Sequence, residues 1–390
     1  MKINYVTYQY FPDNRANTFQ TFSTIKAFLR KKIEVNLIFP NRKKNTSRDN
    51  YFEFYEVEKE FQSICEINPT KHINFINLNK KDNVLKKLIY IFQHFIWSKS
   101  TIKKLKLLEK PSDELFFTRS YIIFYLLRKS KNIVIFECHQ ITKFSKFLIN
   151  KTLIIKPGNK IIISLSPFIH NLILSLGVPQ NRTLQLDNGY EENYFSNLDK
   201  SKIRASNGSE NEKIFIFGGS LKIIGETKNL EFFIDTFNEY IINRNINNYS
   251  LNIYCINNED YIYLKNFEYS LPLSKKIKIN KSIKEREFIK KLVESDIGVI
   301  PLPDNFYVNH FSSSLKFSQY VRANLLIIGS NVDANTRLGY NHFLSYSDNK
   351  ESLIGALDLI KDYDIKNIDN KLFNSLSTDK RVEKILELIN

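Results

Sequence analysis

A run of serines followed by a lysine, late in the chain, has the composition of a phosphate-binding helix start. Ser312, Ser313 and Ser314 can cap a predicted helix, and Lys316 lies in its first turn. Backbone N–H groups at a helix N-terminus point toward an anion, whereas a lysine there works against the helix dipole unless an anion is bound. The segment predicts a phosphate contact at Ser313, Ser314, Leu315 and Lys316, although a surface lysine also explains Lys316.

Two adjacent glycines form a second candidate phosphate site. Gly218 and Gly219 follow a predicted strand at residues 213–217 and precede a predicted helix, so the backbone there can approach a ligand closely. Ser220 comes next, and Lys222 and Lys228 both follow it before the predicted helix. A solvated lysine remains the alternative for Lys228.

A histidine at a strand end is the candidate catalytic residue. His139 directly follows the predicted strand at residues 133–137, and ligands of a doubly wound sheet bind at the carboxyl ends of its strands. The alternative is a structural histidine that closes the strand. A catalytic pair of Cys138 and His139 is excluded, because neighbours on a strand point to opposite faces.

Three further polar residues are predicted at the same edge of the sheet. Arg119 follows the predicted strand at residues 115–118, while Arg15 and Asn17 lie in the loop after the first strand. Guanidinium groups suit phosphate or carboxylate recognition, so these residues are candidates for binding an anionic ligand in a cleft at that edge. Salt bridging within the protein is the alternative for either arginine.

The elements that must position these residues alternate between strand and helix. Residues 3–8 and 34–39 form apolar predicted strands, and residues 18–30 carry apolar side chains at helical spacing between them. Further strands are predicted at residues 73–76, 115–118, 133–137, 160–165, 183–186, 213–217, 250–256, 276–279, 298–301 and 325–329. This alternation predicts an α/β protein with doubly wound parallel sheets.

Chain length and one polar segment predict two domains. The 390 residues exceed one ordinary core and suit two α/β domains. Residues 196–211 are polar and lack an apolar period, so they predict the interdomain linker. We therefore predict a Rossmann-like domain over residues 1–195, a second over residues 212–370, and a helical tail over residues 371–390.

Composition limits the class of protein and its partners. The net charge of +16 favours an anionic partner such as nucleic acid, a phosphorylated substrate or an acidic membrane, although a codon bias toward A and T would also raise the lysine count. Without a recognised DNA- or RNA-binding motif, we predict no nucleic acid partner. Three scattered cysteines favour neither disulfides nor a metal site, and no export signal is visible, so we predict a cytoplasmic protein.

One basic segment has the composition of a membrane-surface helix. Residues 82–110 mix lysines with Leu, Ile, Phe and Trp97. Their apolar run at residues 88–97 is far shorter than the roughly 20 residues that span a bilayer. The segment predicts either peripheral contact with an anionic membrane, on the inner face of the plasma membrane, or an amphipathic helix packed on the core.

Three longer segments carry a further pattern. They are MKINYVTYQYFPDNRANTFQTFSTIKAFLRKKIEVNLIFP, then IIISLSPFIHNLILSLGVPQNRTLQLDNGYEENYF, then VESDIGVIPLPDN followed by SSSLKFSQYVRANLLIIGSNVDANTRL. Together with Asn188, Gly189 and Phe195 in the second, they resemble bacterial GT-B glycosyltransferases of the family 4, or group 1, type. The resemblance implies two facing Rossmann-like domains with a cleft between them, the first binding the acceptor and the second binding a nucleotide-sugar donor.

The resemblance also implies a reaction. A hexosyl unit would pass, with retention of configuration, from a nucleotide-sugar to a saccharide or lipid-linked acceptor in bacterial cell-surface polysaccharide synthesis. His139 would lie near the donor sugar, and Arg119 resembles an arginine of the family. Lys316 and Lys228 would neutralise the leaving diphosphate without a metal ion or other cofactor. Gln319 would bond the ribose hydroxyls.

The chain departs from the family pattern at three positions. Ser220 replaces the arginine after the glycines, Phe311 replaces the carboxylate that addresses the donor sugar, and Gln319 replaces the carboxylate on the helix. A second interpretation is therefore a catalytically inactive GT-B-like partner subunit of a glycosylation complex. A preserved donor pocket with His139 facing it favours the enzyme, whereas a cleft filled by Phe311 favours the partner subunit.

Overall fold

The chain folds into two compact units. The computed structural model describes all residues except 14, 42–47, 72–83, 156, 224–225, 271–273, 362, 364–369 and 390. The first unit consists of Met1–Asn188, Phe311–Ser313 and Thr378–Asn390, and the second of Gly189–His310 and Ser314–Ser377. The predicted boundaries at residues 195 and 371 therefore differ from the observed divisions.

The first unit contains a seven-stranded parallel sheet in the order β3-β2-β1-β4-β5-β6-β7. Its strands are β1 (Lys2–Val6), β2 (Glu34–Asn41), β3 (Cys65–Lys71), β4 (Glu114–Thr118), β5 (Val134–Cys138), β6 (Lys160–Ser164) and β7 (Thr183–Gln185). The helices between them are α1 (Ala16–Arg30), α2 (Arg48–Phe54), α3 (Val84–Lys104), α4 (Tyr121–Leu126), α5 (Lys143–Leu153) and α6 (Pro167–Ser175).

Helices cover both faces of this sheet, so its strands are apolar on both sides. Ile161, Ile162 and Ile163 of β6 are fully buried, which is the continuous apolar run expected of a central parallel strand. The strand order reverses direction between β1 and β4. The carboxyl ends of strands beside such a reversal are where α/β proteins bind ligands.

The second unit contains a six-stranded parallel sheet in the order β12-β11-β8-β13-β14-β15, with a two-stranded antiparallel pair, β9 and β10. The strands are β8 (Lys213–Gly219), β9 (Lys222–Ile223), β10 (Glu226–Thr227), β11 (Tyr249–Cys255), β12 (Ile277–Asn280), β13 (Ile297–Ile300), β14 (Leu326–Ser330) and β15 (Phe343–Tyr346). Here the order reverses between β8 and β13.

The helices after residue 189 complete both units. They are α7 (Lys200–Asn207), α8 (Leu230–Asn243), α9 (Asn258–Ser270), α10 (Glu285–Glu294), α11 (Phe306–Phe311), α12 (Leu315–Arg322), α13 (Asp333–Thr336), α14 (Lys350–Leu359), α15 (Asn370–Ser375) and α16 (Thr378–Glu387). Along the part of the chain that is described, no helix is both long and apolar enough to cross a membrane.

The segment predicted as a linker, residues 196–211, is folded within the second unit. It contains α7, whose first turn is capped by the Asp199 side chain and whose end is closed by Gly208 in the left-handed conformation. Arg204 anchors the helix through a 2.8 Å bond to Asp296. None of the α7 residues is buried. The helix is therefore as polar as a linker, which explains why its sequence predicts one.

The predicted tail, residues 371–390, divides between the units. Helix α15 belongs to the second unit, whereas α16 belongs to the first. Val382 and Ile385 of α16 are fully buried in the core that lies on the α1 side of the first sheet. Arg30 of α1 donates two hydrogen bonds to Asp379 of α16, at 2.8 and 3.0 Å.

Strand β3 differs from the sequence prediction. The predicted strand at residues 73–76 lies outside the described residues, and the third strand runs from Cys65 to Lys71 instead. Its sequence, CEINPTK, is polar and contains Pro69. A proline is tolerated here because β3 lies at the edge of the sheet and pairs only with β2.

Candidate functional site

A histidine and an arginine meet at the carboxyl ends of two neighbouring strands in the first unit. Arg119 follows β4, His139 follows β5, and these strands pair directly. The Arg119 Nη2 atom lies 3.0 Å from His139 Nδ1, and His139 Nε2 lies 2.5 Å from Glu137 Oε1. Because a guanidinium only donates, Nδ1 must accept and Nε2 must carry the ring proton.

Glu137 is the buried anion of this cluster. Its other carboxylate oxygen accepts a hydrogen bond from Arg381 of α16 at 3.0 Å, and Arg119 Nε lies 3.4 Å from Oε1. Burial alone would raise the pKa of Glu137, but Arg381, Arg119 and His139 hold it well below the ordinary value. Glu137 is therefore ionised.

His139 is neutral at physiological pH. Burial and the Arg119 guanidinium lower the pKa of His139 to about 4, although the Glu137 carboxylate opposes this shift. Both ring nitrogens already have protein partners, and 27% of the side chain is exposed. A ligand hydroxyl that bonds a ring nitrogen must therefore replace Arg119 or Glu137.

Arg119 also binds helix α1. Its Nη1 atom donates to the Asn17 carbonyl at 2.8 Å and to Thr21 Oγ1 at 3.2 Å, and Nη2 donates to Gln20 Oε1 at 3.0 Å. Only 9% of the Arg119 side chain is exposed. Arg119 thus fixes α1 relative to His139, and Asn17 joins the cluster through its backbone rather than its side chain.

Two nearby residues, Arg15 and Cys138, do not take part in this cluster. Arg15 pairs with Asp13 at 2.7 Å, and its side chain is 57% exposed, so it is not among the partners of His139. Cys138, the neighbour of His139, is buried, and this burial raises the pKa of its thiol to about 12. A thiol in that state is not a nucleophile at neutral pH.

The glycine turn of the second unit lies at the end of β8, beside the reversal of strand order. A Cβ atom on Gly218 would lie 2.1 Å from the Phe288 ring, so only glycine allows Phe288 to pack there. A Cβ on Gly219 would lie 3.4 Å from Lys228 Nζ. The Lys228 ammonium therefore rests against the Gly219 backbone. Ser220 Oγ donates to the Lys222 carbonyl at 2.8 Å.

Lys228 and Lys316 bring two positive charges to this turn. Burial and the Lys316 charge lower the pKa of Lys228 to about 8, with Asp260 opposing the shift. Lys316 Nζ lies 4.1 Å from the centre of the Phe288 ring. Burial lowers the pKa of Lys316, and Glu285, 3.8 Å away, raises it. Among the described residues, the Lys228 side chain has neither an ion pair nor a hydrogen bond.

The N-terminus of α12 is capped by a serine of the same unit. Ser314 Oγ caps the helix by accepting from Phe317 N–H at 3.3 Å. Leu315 and Lys316 are the first helical residues, and N–H groups at this point have no acceptor within the helix. Ser313 belongs to the first unit, where its Oγ accepts from the Asn188 N–H at 2.8 Å and its carbonyl from the Asn188 amide at 2.7 Å.

Gln319 is buried and bonded to a carboxylate that sequence reasoning missed. Its Nε2 atom donates a hydrogen bond of 2.5 Å to Oε1 of Glu285, and Glu285 is the first residue of α10. Its Oε1 atom is buried and has no partner within the described part of the chain. Glu285 therefore supplies a negative charge beside Gln319 and Lys316. An acidic residue in the first turn of a helix is so common that its sequence carries no functional signal.

Phe311 lies in an aromatic contact. Its ring meets the edge of Phe168 at 5.5 Å between centroids, and it packs against the core of the first unit. The position at which the resemblance places a carboxylate is therefore apolar. Arg381 is the second residue that sequence reasoning missed, because it lies 244 positions from Glu137 and in no recognisable motif.

Comparison with known proteins gives a fold rather than a family. No protein-family model matches the sequence, and no curated protein matches it. Solved structures do match over the whole chain. A glycosyltransferase from Rickettsia africae is 16% identical, with 99% of this chain and 97% of that chain covered and a TM-score of 0.65. Anabaena HepE in complex with UDP is 12% identical, with 99% and 100% covered and a TM-score of 0.64.

The chain has the GT-B fold. This confirms the predicted α/β fold class with two Rossmann-like domains. The UDP-GlcNAc 2-epimerase from Methanocaldococcus jannaschii also matches, at 15% identity, 99% coverage of both chains and a TM-score of 0.60. A fold shared by a transferase and an epimerase leaves the activity to be argued from the site. The predicted roles of the site residues stay predictions.

Proposed function

We propose that the chain is a glycosyltransferase that moves a hexosyl unit from a nucleotide-sugar donor to a saccharide or lipid-linked acceptor in bacterial cell-surface polysaccharide synthesis. The observation that carries the proposal is the pairing of Lys228 and Lys316 at the Gly218–Gly219 turn of the second unit. Glu285 lies 3.8 Å from Lys316, and the Asp260 charge acts on Lys228, but Lys228 forms no ion pair with a residue that the structure describes. A diphosphate would give the Lys228 ammonium a partner of opposite charge.

The chemistry follows from where charge develops. When the bond between the anomeric carbon and the diphosphate breaks, the electron pair stays on the leaving phosphate oxygen. Lys228, Lys316 and the N–H groups that begin α12 stabilise that charge, and we propose that they do so without a metal ion. Removing one such donor typically costs roughly 100- to 1,000-fold in rate.

We propose that His139 and Glu137 are the polar groups that the first unit offers to a substrate. A neutral imidazole in a fixed tautomer, beside an ionised carboxylate, presents a preorganised polar edge to a substrate that displaces the Arg119 contact. By the family resemblance, we propose that the reaction retains the anomeric configuration of the sugar. Nuclear magnetic resonance of the first-formed product tests this, because the coupling of the anomeric proton distinguishes the two outcomes.

The second candidate is a catalytically inactive partner subunit of a glycosylation complex. Two observations favour it. Ser220 replaces an arginine and spends its hydroxyl on the Lys222 carbonyl, and Phe311 packs on Phe168 where a carboxylate would address the sugar. This candidate predicts that the chain no longer binds a nucleotide-sugar donor.

A thermal-shift titration without metal, in EDTA, separates the two candidates. The ligands are UDP-, GDP-, ADP-, TDP- and CMP-linked sugars. We expect one donor to stabilise the wild type by about 2.7 kcal/mol at about 100 times its Kd. The control is Lys222→Ala, because Lys222 is exposed on β9. The same donor should stabilise Lys222→Ala and should not stabilise Lys316→Ala.

Either of two results would count against the transferase. Stabilisation by no donor at all favours the inactive partner subunit. Equal stabilisation of wild type and Lys316→Ala contradicts the assignment of the diphosphate to Lys316.

A further inference from the structure

Three helices of the first unit form one layer on its sheet. Trp97 of α3, Phe124 of α4 and Ile149 of α5 belong to one buried cluster, and α4 packs against both of its neighbours. The sides of α3 and α5 that point away from this cluster therefore lie on the same side of the unit. We call their exposed residues the outer helix surface.

On α3 the outer helix surface is an apolar stripe. Leu88 is 58% exposed and Phe92 is 64% exposed. The stripe consists of Leu85, Leu88, Ile89, Phe92 and Ile96. These positions recur every three or four residues, so they lie along one side of the helix. The residues that α3 buries, including His94 and Trp97, lie on the opposite side. Packing on the core therefore explains the buried side of α3 but not its exposed apolar side.

On α5 the outer helix surface is aromatic. Phe144 and Phe147 are 43% and 55% exposed, and Ile154 beyond the helix end is 68% exposed. Phe144 meets the edge of Tyr121, the first residue of α4, at 6.0 Å between ring centroids. Exposed apolar side chains thus occur on both α3 and α5 rather than on α3 alone. Clusters of large exposed apolar side chains mark interaction sites.

Lysines are the only charged residues of these two helices. Lys99 and Lys103 are exposed and continue the line of the α3 stripe toward its carboxyl end, and Lys143, Lys146 and Lys151 are exposed on α5. Neither α3 nor α5 contains an aspartate or a glutamate. The surface therefore combines protruding apolar side chains with positive charge and offers no acidic group.

We propose that the outer helix surface binds an anionic lipid bilayer. Leu88, Phe92 and Phe147 would enter the boundary between headgroups and acyl chains, and the lysines would bind the anionic headgroups. A nucleic acid matches the lysines but offers no apolar partner for the α3 stripe. A second copy docked on the same face would bring the lysines of both copies together, which opposes such a dimer.

Vesicle flotation with the full chain tests this proposal independently of the proposed catalytic function. The probes are phosphatidylcholine vesicles with and without about one third phosphatidylglycerol. We expect the wild type to bind the anionic vesicles and to bind the neutral ones much more weakly. The double variant Leu88→Glu/Phe92→Glu should lose at least about tenfold in vesicle affinity, because two charged side chains cannot enter the boundary region.

The matched control is Ile262→Glu, which changes an exposed apolar residue of α9 in the second unit that is 50% exposed. It should bind vesicles as the wild type does. Lys99→Gln/Lys103→Gln should weaken binding to anionic vesicles only. Failure of the wild type to bind anionic vesicles, or equal binding by Leu88→Glu/Phe92→Glu, overturns the proposal. So does a wild-type dimer in light scattering that this double variant dissociates, since a second copy then covers the surface.

Discussion

Individual side chains in the first unit have protonation states set by their neighbours rather than by solvent. Glu137 is ionised because two guanidinium groups and the His139 ring offset the cost of burying it. His139 is neutral because it is buried beside Arg119. The residues of this cluster therefore depend on one another, and one change in protonation alters the stability of the unit.

The His139 pKa gives a pH prediction. Below the ordinary histidine value near 6.5, the unfolded chain binds a proton that the folded His139 does not bind until about pH 4. Stability is therefore fully present above pH 6.5 and falls as the pH decreases. We expect His139 to cost the first unit about 2 kcal/mol between about pH 7.5 and pH 5. The ionised Glu137 adds a loss at still lower pH.

Urea unfolding followed by fluorescence measures this loss, because the only tryptophan, Trp97, is buried in the first unit. His139→Gln should lack the His139 part of the pH dependence. His310→Gln, in the second unit, should keep it. If His139→Gln and the wild type lose the same free energy over this range, the neutral state assigned to His139 is wrong.

Sequence reasoning predicted part of this cluster. Arg119 and His139 follow strands that are neighbours in a doubly wound sheet, so their proximity follows from topology. Arg381 could not be predicted, because it reaches Glu137 from a helix at the other end of the chain. Glu285 was missed for a similar reason, since its contact with Gln319 depends on how α10 and α12 pack.

At the scale of elements, the turn after β8 is tied to α10 and α12 through one ring. Phe288 of α10 packs against Gly218 on one side and carries Lys316 of α12 over its face. The spacing of turn, ring and lysine is therefore set by the absence of a side chain at Gly218. A change there alters packing and the lysine position together.

Gly218→Ala tests this coupling. The new Cβ would clash with the Phe288 ring, so we expect a loss of about 1 to 3 kcal/mol in the stability of the second unit. Calorimetric unfolding measures it, and adding Phe288→Leu should restore part of the loss. Gly355→Ala is the control, because its Cβ meets nothing within 4 Å and α14 gains up to about 1 kcal/mol from alanine. Equal effects of both alanines would contradict the packing argument.

Elements with strong apolar patterns were predictable from the sequence, and solvated or edge elements were not. The central strands β1, β4, β5, β6 and β8 overlap their predicted ranges, because strands buried on both faces are apolar along their length. Strand β3 was missed because an edge strand tolerates Pro69 and polar residues. Helix α7 has the polar composition of a linker because it buries none of its residues.

At the scale of the molecule, the chain returns to its first unit after building its second. Residues 378–390 rejoin the first unit, and α16 brings Arg381 to Glu137 as well as Val382 and Ile385 to the core. A return of this kind has no local sequence signature. The pattern of strands predicted two Rossmann-like domains, but the predicted boundaries assumed that each domain is continuous.

We propose that Lys228 and Lys316 of the second unit hold the diphosphate of a nucleotide-sugar. Calorimetric titration tests it most directly, by comparing the affinity of the nucleoside diphosphate selected by the thermal-shift panel with that of its nucleoside. We predict that the wild type binds the nucleoside diphosphate at least about 100-fold more tightly than the nucleoside, a difference of about 2.7 kcal/mol in binding free energy. Lys228→Met/Lys316→Met should lose most of this difference in affinity. An unchanged difference in the double variant would contradict the account.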